Sequence, residues 1–258
     1  MFGFGKKKEL SVDCVTVSET GLVRKDNQDS VFINQAKTVF CVADGMGGGS
    51  EGATASRFVC EAIERECEGG EERWREKVEQ RLNAAIAAAN ARILAYAKEK
   101  GFQQMGSTLA AVLLDPNDVR KAAICHIGDS RIYRVRRGSA ELLTKDHTIG
   151  VQLGELTKGV LSAELKSRTN PLAHVLTRAI GATAEIEGEW RKIDVMVDDR
   201  FLVCSDGVHD VIADSLIGEI LSMSKDLEAA SKRLSDEVVR FGAPDNFSYV
   251  MIEIGNAR

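Results

Sequence analysis

Hydrophobic and polar residues follow two different periods along this chain, and the two periods separate strands from helices. Residues 10–17 alternate every second position, which is typical of a half-buried strand. Short runs of β-branched and aromatic residues predict more strands, whereas an apolar residue every three or four positions predicts a helix. The predicted strands cover residues 10–17, 31–33, 38–42, 108–114, 119–127, 131–135, 186–197, 201–204 and 247–254. The predicted helices cover residues 53–67, 72–100, 214–223 and 227–241.

The order of these elements indicates the fold class. Strands are followed by two helices, more strands, two more helices and a final strand. This order favours an α+β layered domain with mainly antiparallel sheets and helix pairs outside them. The 258 residues contain no internal repeat and no linker-like stretch, so we expect one domain over residues 10–258. Residues 1–9, which include three consecutive lysines, are expected to form a flexible arm.

The least regular part of the chain is residues 146–175, which have weak periodicity and contain three glycines and a proline. An irregular segment of this length inside one domain is more often a functional lid than a plain connector. We therefore predict a flap at about residues 147–175.

Composition and charge exclude several classes of protein. The formal net charge is −5, so nothing suggests a basic surface for nucleic acid. No apolar run is long enough for a transmembrane helix, and no membrane partner is expected. The six cysteines include no C-x-x-C pair, and three of them lie in predicted buried strands. This pattern predicts reduced thiols and a cytoplasmic location.

The candidate chemistry lies where strands end. Three apolar runs stop at an aspartate beside a glycine, namely Asp44, Asp129 and Asp206, and Asp245 stands just before the last strand. A single Asp-Gly pair is an ordinary turn signal. Several such strand ends converge, however, if the strands share a sheet or a sandwich. Converging carboxylates repel one another unless cations neutralise them.

Ligand chemistry narrows the choice of cation. Carboxylate and carbonyl oxygens favour Mg²⁺, Mn²⁺ or Ca²⁺, and neither the zinc spacing of Cys and His nor the calcium loop motif is present. Two hard cations that share a carboxylate are a recurrent apparatus for phosphoryl hydrolysis. Arg24 offers a bidentate phosphate anchor, and the nearby Asp29 offers one more carboxylate. Motifs for dinucleotides, P-loop phosphates and nucleophilic serines are absent.

Eight short motifs then occur in a familiar order. They are Gly-Leu-Val-Arg-x-x-Asn-Gln-Asp, Val-Ala-Asp-Gly-Met-Gly-Gly, Gly-Ser-Thr, Ile-Gly-Asp-Ser-Arg, Thr-Lys-Asp-His-Thr, Leu-Thr-Arg-Ala-Ile-Gly, Cys-Ser-Asp-Gly and Asp-Asn-Phe-Ser. Through them, residues 11–254 resemble the metal-dependent PP2C-type serine/threonine protein phosphatases, in particular the bacterial branch. The resemblance implies a four-layer α/β/β/α sandwich, in which two antiparallel sheets lie between pairs of antiparallel helices, and a variable flap beside a metal cleft.

The resemblance also implies roles for individual residues. Asp44 would bridge two Mn²⁺ or Mg²⁺ ions, and the carbonyl of Gly45 would reach one of them. Asp206 and Asp245 would bind the first ion, and Asp29 would support the second through water. Asp129 corresponds to the acid that holds a third, looser ion, and Arg24 to the arginine that binds phosphate. Asp44, Asp206 and Arg24 are the predicted catalytic residues.

Three positions depart from the family pattern, and they leave the general acid open. Met46 and Gly49 stand where relatives carry histidine, and Gln28 replaces a glutamate. A water on the metal, His147 or His174 could donate the proton, although ordinary packing or surface roles are favoured for both histidines. Of the other two histidines, His126 is expected to be a core or strand-edge residue, and His209 lies three residues after Asp206, where support for the site is the less favoured reading.

The function predicted from these residues is hydrolysis of phosphoserine and phosphothreonine on proteins. Water activated between two divalent cations would attack directly, without a covalent enzyme intermediate. Two alternatives remain: a phosphomonoesterase for small molecules, and a phosphoprotein-binding regulator with weak catalysis. A dinuclear nuclease is disfavoured by the acidic charge balance. A Ser/Thr kinase or its targets are the expected partners, and a monomer is the expected state.

Overall fold

The structure is a computed structural model, which describes residues 10–48, 50–68, 78–115, 118–156 and 170–257. The predicted arm at residues 1–9 therefore lies outside the described residues. So do Gly49, the start of the helix predicted at 72–100, and residues 157–169 of the predicted flap.

Two antiparallel sheets form the centre of the fold. In the first sheet the strand order is β1 (Leu10–Glu19), β11 (Phe247–Asn256), β10 (Arg200–Cys204), β7 (Arg131–Arg136) and β8 (Ser139–Leu142). In the second it is β2 (Asp29–Ile33), β3 (Val39–Gly47), β5 (Leu109–Leu114), β6 (Lys121–Ile127) and β9 (Glu189–Asp194). The short strand β4 (Met105–Ser107) pairs with the end of β3.

Helices cover the outer faces of both sheets. The described helices are α1 (Ser50–Glu68), α2 (Val78–Lys100), α3 (Ile149–Leu156), α4 (Asp206–His209), α5 (Asp214–Met223) and α6 (Leu227–Arg240), with a 3-10 turn at Pro171–His174. Helices α1 and α2 pack on the second sheet, and α5 and α6 pack on the first. Within the described part of the chain, no helix has the length and apolar character needed to cross a membrane.

Strand β3 shows why the layers form. Val39, Cys41 and Ala43 belong to the apolar cluster beneath α1 and α2, whereas Phe40 and Val42 belong to the cluster between the two sheets. Successive side chains of a strand point to opposite faces, so a strand that is covered on both faces must be apolar at every position. The predicted four-layer sandwich is confirmed.

The elements absent from the prediction lack a strong periodic signal. Strand β8 is a largely exposed edge strand, and it follows a tight turn in which Arg137 and Gly138 both have positive φ. Helix α3 contains two buried glycines, Gly150 and Gly154, which weaken a helical pattern. Strand β9 is shorter than the predicted strand at residues 186–197, and α4 has only four residues.

The core between the sheets should dominate stability. Phe201 is fully buried in this layer, so Phe201→Ala is expected to lower the free energy of unfolding by about 3–5 kcal/mol. Met223 is 74% exposed, and Met223→Ala should change the free energy by less than about 0.5 kcal/mol. Urea unfolding followed by circular dichroism measures both values. Equal effects of the two substitutions would contradict this assignment of the core.

Candidate active site

Strand pairing brings the predicted acids to one end of the sandwich. Asp29, at the start of β2, lies opposite Asp44 near the end of β3. In the other sheet, β10 ends at Cys204 and the antiparallel strand β11 starts at Phe247. Asp206 follows the first of these strand ends, and Asp245 precedes the second. Two pairs of carboxylates, one from each sheet, thus reach the same edge.

Thr108 connects Asp44 to the turn that carries Asp129. The backbone N–H of Asp44 donates to Thr108 Oγ1 at 2.9 Å, and the N–H of Thr108 donates to the Asp44 carbonyl at 2.8 Å. The Thr108 hydroxyl also shares a hydrogen bond of 2.7 Å with the hydroxyl of Ser130. The backbone at Asp44 is therefore held independently of anything that its carboxylate binds.

Gly45 sits where no side chain fits. A Cβ atom at this position would lie 2.0 Å from the carbonyl oxygen of Gly52 in α1 and 2.6 Å from that of Gln28. The N–H of Gly45 donates to the same Gln28 carbonyl at 3.0 Å. The strand end that carries Asp44 is thus pressed against the first turn of α1, and this close approach requires glycine.

Asn246 attaches the segment around Arg24 to the start of β11. Its side-chain oxygen accepts a hydrogen bond from the N–H of Gln28 at 2.9 Å. Its amide group donates to the carbonyls of Thr20 at 2.8 Å and Asp26 at 2.9 Å. Residues 20–28 are consequently held beside Asp245, although more than 200 positions separate them in sequence.

Asp29 is buried and only partly satisfied. Its Oδ2 accepts a hydrogen bond of 2.7 Å from the Ser205 hydroxyl, whereas its Oδ1 is buried without a hydrogen-bond partner. Burial raises the pKa of Asp29 from 3.8 to about 7, with a further contribution from the charge of Asp206, against the hydrogen bond from Ser205. An orphaned, buried carboxylate oxygen indicates a site that suits a cation.

The other acids repel one another as well. The pKa of Asp44 is raised well above its ordinary value, first by burial and then by the charges of Asp206, Asp29 and Asp129. Burial is also the main cause of the raised pKa of Asp129 and of Asp206. After burial, the charge of Asp206 is the next cause of the raised pKa of Asp44, so without a cation this pair of carboxylates requires a proton. Bound divalent cations would remove this requirement, and the donors are all oxygen, as Mn²⁺ and Mg²⁺ prefer.

Arg24 lies at the rim of the acid cluster and is paired with Asp245. Its Nη2 donates to Asp245 Oδ2 at 2.6 Å, and the Arg24 side chain is 53% exposed. The hydrogen bond with Asp245 and the charges of Asp245, Asp206 and Asp44 raise the pKa of Arg24. The sequence contains no signal for this ion pair. Among the described residues, no three of the aspartates bring one oxygen each within 4.8 Å of one another.

The histidines considered as proton donors are engaged elsewhere. His126 and His147 are buried and stack on each other, with ring centroids 4.6 Å apart. His174 lies 3.1 Å from a carboxylate oxygen of Asp210, and His209 Nε2 lies 3.1 Å from the carbonyl oxygen of Asp129. His209 therefore contacts the backbone of Asp129, a predicted ligand.

The two ends of the predicted flap meet next to Asp129. Thr148 and Leu176 form an isolated antiparallel bridge, and the N–H of Ile149 donates to the Val175 carbonyl at 2.9 Å. A cavity of about 380 Å³ opens beside these ends, and of the five predicted acid ligands, all of them described residues, Asp129 alone lines it. Its walls include Asp129, Arg131, Thr148, Val151, His174 and Asp210. Both ends of the predicted flap thus lie beside Asp129, whereas residues 157–169 lie outside the described residues.

Comparison with known proteins agrees with this geometry. The family model described as "Protein phosphatase 2C" matches residues 18–246. The chain belongs to the protein phosphatase 2C family. It is 33% identical to the serine/threonine protein phosphatase PstP of Mycobacterium tuberculosis over 92% of this chain, and it spans 44% of that protein's length. It is 28% identical to the serine/threonine phosphatase stp of Listeria innocua, over 92% of this chain and 93% of the relative.

A solved structure extends the similarity to three dimensions. The catalytic domain of PstP in complex with two manganese ions matches with a TM-score of 0.82 and 30% identity, over 96% of this chain and 100% of that domain. The predicted family and fold are confirmed. The individual ligand roles predicted for the aspartates stay predictions.

The buried acids predict an unusual dependence of stability on pH. When a chelator removes divalent cations, the free energy of unfolding is expected to fall as the pH rises from about 4 to about 8. The reason is that Asp29 has a pKa of about 7 when folded and 3.8 as an ordinary carboxyl, so the folded state binds more protons in this window.

Asp29→Asn keeps an oxygen for Ser205 but cannot ionise, so it should flatten the profile and stabilise the protein most at the alkaline end. Urea unfolding at several pH values, in chelator and again with manganese, gives this comparison. An Asp29→Asn profile parallel to that of the unaltered chain would contradict the assignment.

Proposed function

We propose that this chain is a metal-dependent serine/threonine protein phosphatase. One observation carries the proposal: buried, mutually repelling carboxylates from both sheets meet at one end of a sandwich that belongs to the protein phosphatase 2C family. Clustered acids of this kind are costly for the fold unless cations bind among them. The relative that contains two manganese ions supports divalent metal dependence.

In this proposal the aspartates would hold the ions. Asp44 would bridge two Mn²⁺ or Mg²⁺ ions, and the Gly45 carbonyl would reach one of them. Asp206 and Asp245 would bind the first ion, Asp29, whose Oδ1 is orphaned, would support the second through water, and Asp129 would hold a third. When bound, the ions supply a nucleophilic water at neutral pH and neutralise charge on the phosphoryl oxygens. The close contact between Gly45 and Gly52 keeps the carbonyl in place.

Arg24 has two alternative partners in this scheme. Without a phosphate it pairs with Asp245, and with a substrate it turns to the phosphoryl oxygens, which its guanidinium can bind through two parallel hydrogen bonds. Release from Arg24 frees the Asp245 carboxylate for a cation. In this proposal a water in the cleft donates the proton to the leaving group. His147 and His174, the other candidates, contact Glu189 and Asp210.

The remaining assignments rest on charge and on the relatives. The phosphorylated partner is a protein, such as a Ser/Thr kinase or one of its targets, and the formal net charge of −5 disfavours nucleic acid as a partner. We further propose a cytoplasmic, bacterial signalling enzyme that acts as a monomer. Residues 10–258 form one catalytic domain, and residues 147–175 form the flap beside the cleft.

Removal of a central ligand should abolish hydrolysis. Asp206→Asn is expected to lower kcat/KM for a phosphothreonine peptide by about 100-fold or more, because it removes charge that the ions require. EDTA should abolish activity, and manganese should restore it. Asp236→Asn, on the remote face of α6, is the matched control and should be neutral. Full activity of Asp206→Asn, or activity that persists in EDTA, would refute the function. Faster release from small metabolites than from phosphopeptides would favour a small-molecule phosphatase.

Substitution of Arg24 tests phosphate binding separately from metal binding. Arg24→Ala is expected to raise KM for the peptide and the inhibition constant for inorganic phosphate by about tenfold to 100-fold, since it removes charged hydrogen bonds. Arg24→Lys should recover only part of the loss, because lysine cannot bind bidentately. Steady-state kinetics with phosphate as inhibitor measures both constants. An unchanged inhibition constant in Arg24→Ala would exclude phosphate binding by this residue.

A further inference from the structure

His147 makes an unusually complete set of contacts at the start of the flap. Its backbone N–H donates to the Gly128 carbonyl at 2.9 Å, and its carbonyl accepts from the N–H of Thr177 at 2.8 Å. Its side chain is buried, and Nδ1 accepts a hydrogen bond of 3.1 Å from the N–H of Gly128. Both the backbone and the ring of His147 therefore bind the residue that precedes Asp129.

These contacts determine the tautomer of the ring. A neutral imidazole has one nitrogen that accepts and one that donates. Because Nδ1 accepts from Gly128, Nε2 carries the proton, and it donates to Glu189 Oε2 at 3.0 Å. Arg178 Nη1 lies 3.3 Å from His147 Nε2 and 3.7 Å from the same Glu189 oxygen. Because a guanidinium only donates and Nε2 carries its own proton, Arg178 supplies positive charge beside Glu189 and no hydrogen bond to the ring. Burial lowers the pKa of His147, which agrees with a neutral ring, although the hydrogen bond with Glu189 opposes the shift.

The same tautomer argues against a metal at this place. The ligand atoms of His126, His147 and Glu189 lie within 4.8 Å of one another, which would suit a small metal site by distance alone. A metal on His147 Nε2 would need the lone pair there, while Gly128 already uses the lone pair on Nδ1. Only an imidazolate could serve both, and the adjacent Glu189 carboxylate disfavours that anion. The cluster is therefore a hydrogen-bonded support.

We propose that His147 is a positioning residue, whose Nδ1 holds the Gly128–Asp129 turn and couples it to both ends of the flap. The link to the flap is short: His147 bonds Thr177, and the next residue, Thr148, pairs with Leu176. This inference rests on the proposed function, in which Asp129 binds a cation.

Gly128 shows why a support is needed. It adopts a positive φ of 96°, and a Cβ there would lie 2.6 Å from the Thr108 side chain. The turn is therefore a tight one against the residue that also holds Asp44. His209 holds the Asp129 carbonyl from the other side, and His147 holds the Gly128 N–H. Together the two rings fix the position of the backbone from which the Asp129 side chain projects.

Two substitutions test the roles of the two ring nitrogens separately. His147→Asn places an amide oxygen near the position of Nδ1 and can still accept from Gly128. His147→Gln reaches toward the position of Nε2 and can contact Glu189 but not Gly128. We expect His147→Asn to keep manganese affinity within about twofold, and His147→Gln to weaken the loosest class of manganese sites by about tenfold or more. Calorimetric titration measures these affinities.

A second readout does not depend on catalysis or on Asp129. In ¹H–¹⁵N spectra the amide resonance of Gly128 should stay near its wild-type position in His147→Asn and move in His147→Gln. A long-range ¹H–¹⁵N spectrum of the unaltered chain should show the proton of His147 on Nε2. Melting temperatures of the two variants control for a merely structural loss.

The outcomes are distinguishable. Equal behaviour of the two variants in both experiments, or a proton on Nδ1, would overturn the role of His147. Asp129→Asn serves as the reference: if it leaves manganese binding unchanged, the role of Asp129 in the proposed function fails. In that case the amide resonance of Gly128 still tests the role of His147, because this resonance does not depend on the role of Asp129. If no preparation of the unaltered chain hydrolyses phosphopeptides, the proposed function is overturned instead.

Discussion

Mutual repulsion among buried carboxylates is the constraint on which the site depends. Asp29, Asp44, Asp129 and Asp206 have raised pKa values, and burial is the largest cause in each case. Side chains that repel one another cannot hold themselves together, so the backbone must hold them. The ladder between β2 and β3 holds one pair, and the adjacent ends of β10 and β11 hold the other.

A few contacts between uncharged groups connect these strand ends to the rest of the site. Thr108 joins the end of β3 to the Asp129 turn, and Asn246 joins the start of β11 to residues 20–28. The contact between Gly45 and Gly52 sets how closely α1 approaches the site. Since all of these groups are neutral, their own charge does not change when the acids bind protons or cations. The charged side chains of the site are thus held in place by groups that carry no charge.

The sequence allowed the layers and the acids to be predicted, because both have local signatures. A strand that ends in Asp-Gly is visible within a dozen residues, and β3 is apolar throughout because it is covered on both faces. The pair between Arg24 and Asp245 joins residues 221 positions apart, and no local pattern predicts it. The same holds for His147, whose tautomer follows from contacts to Gly128 and Glu189. Strand β8 was not predicted from the sequence, because it is an exposed edge strand without an apolar face.

The pairing of β1 with β11 affects how the molecule is made. Strand β1 lies at the edge of its sheet and pairs, among the described strands, with β11 alone, from Leu10 opposite Asn256 to Glu19 opposite Phe247. During synthesis β1 therefore cannot form this ladder until residues 247–256 have left the ribosome. In that interval β1 is an unpaired strand, which is a template for aggregation, and Asp245 is not yet held beside the other acids.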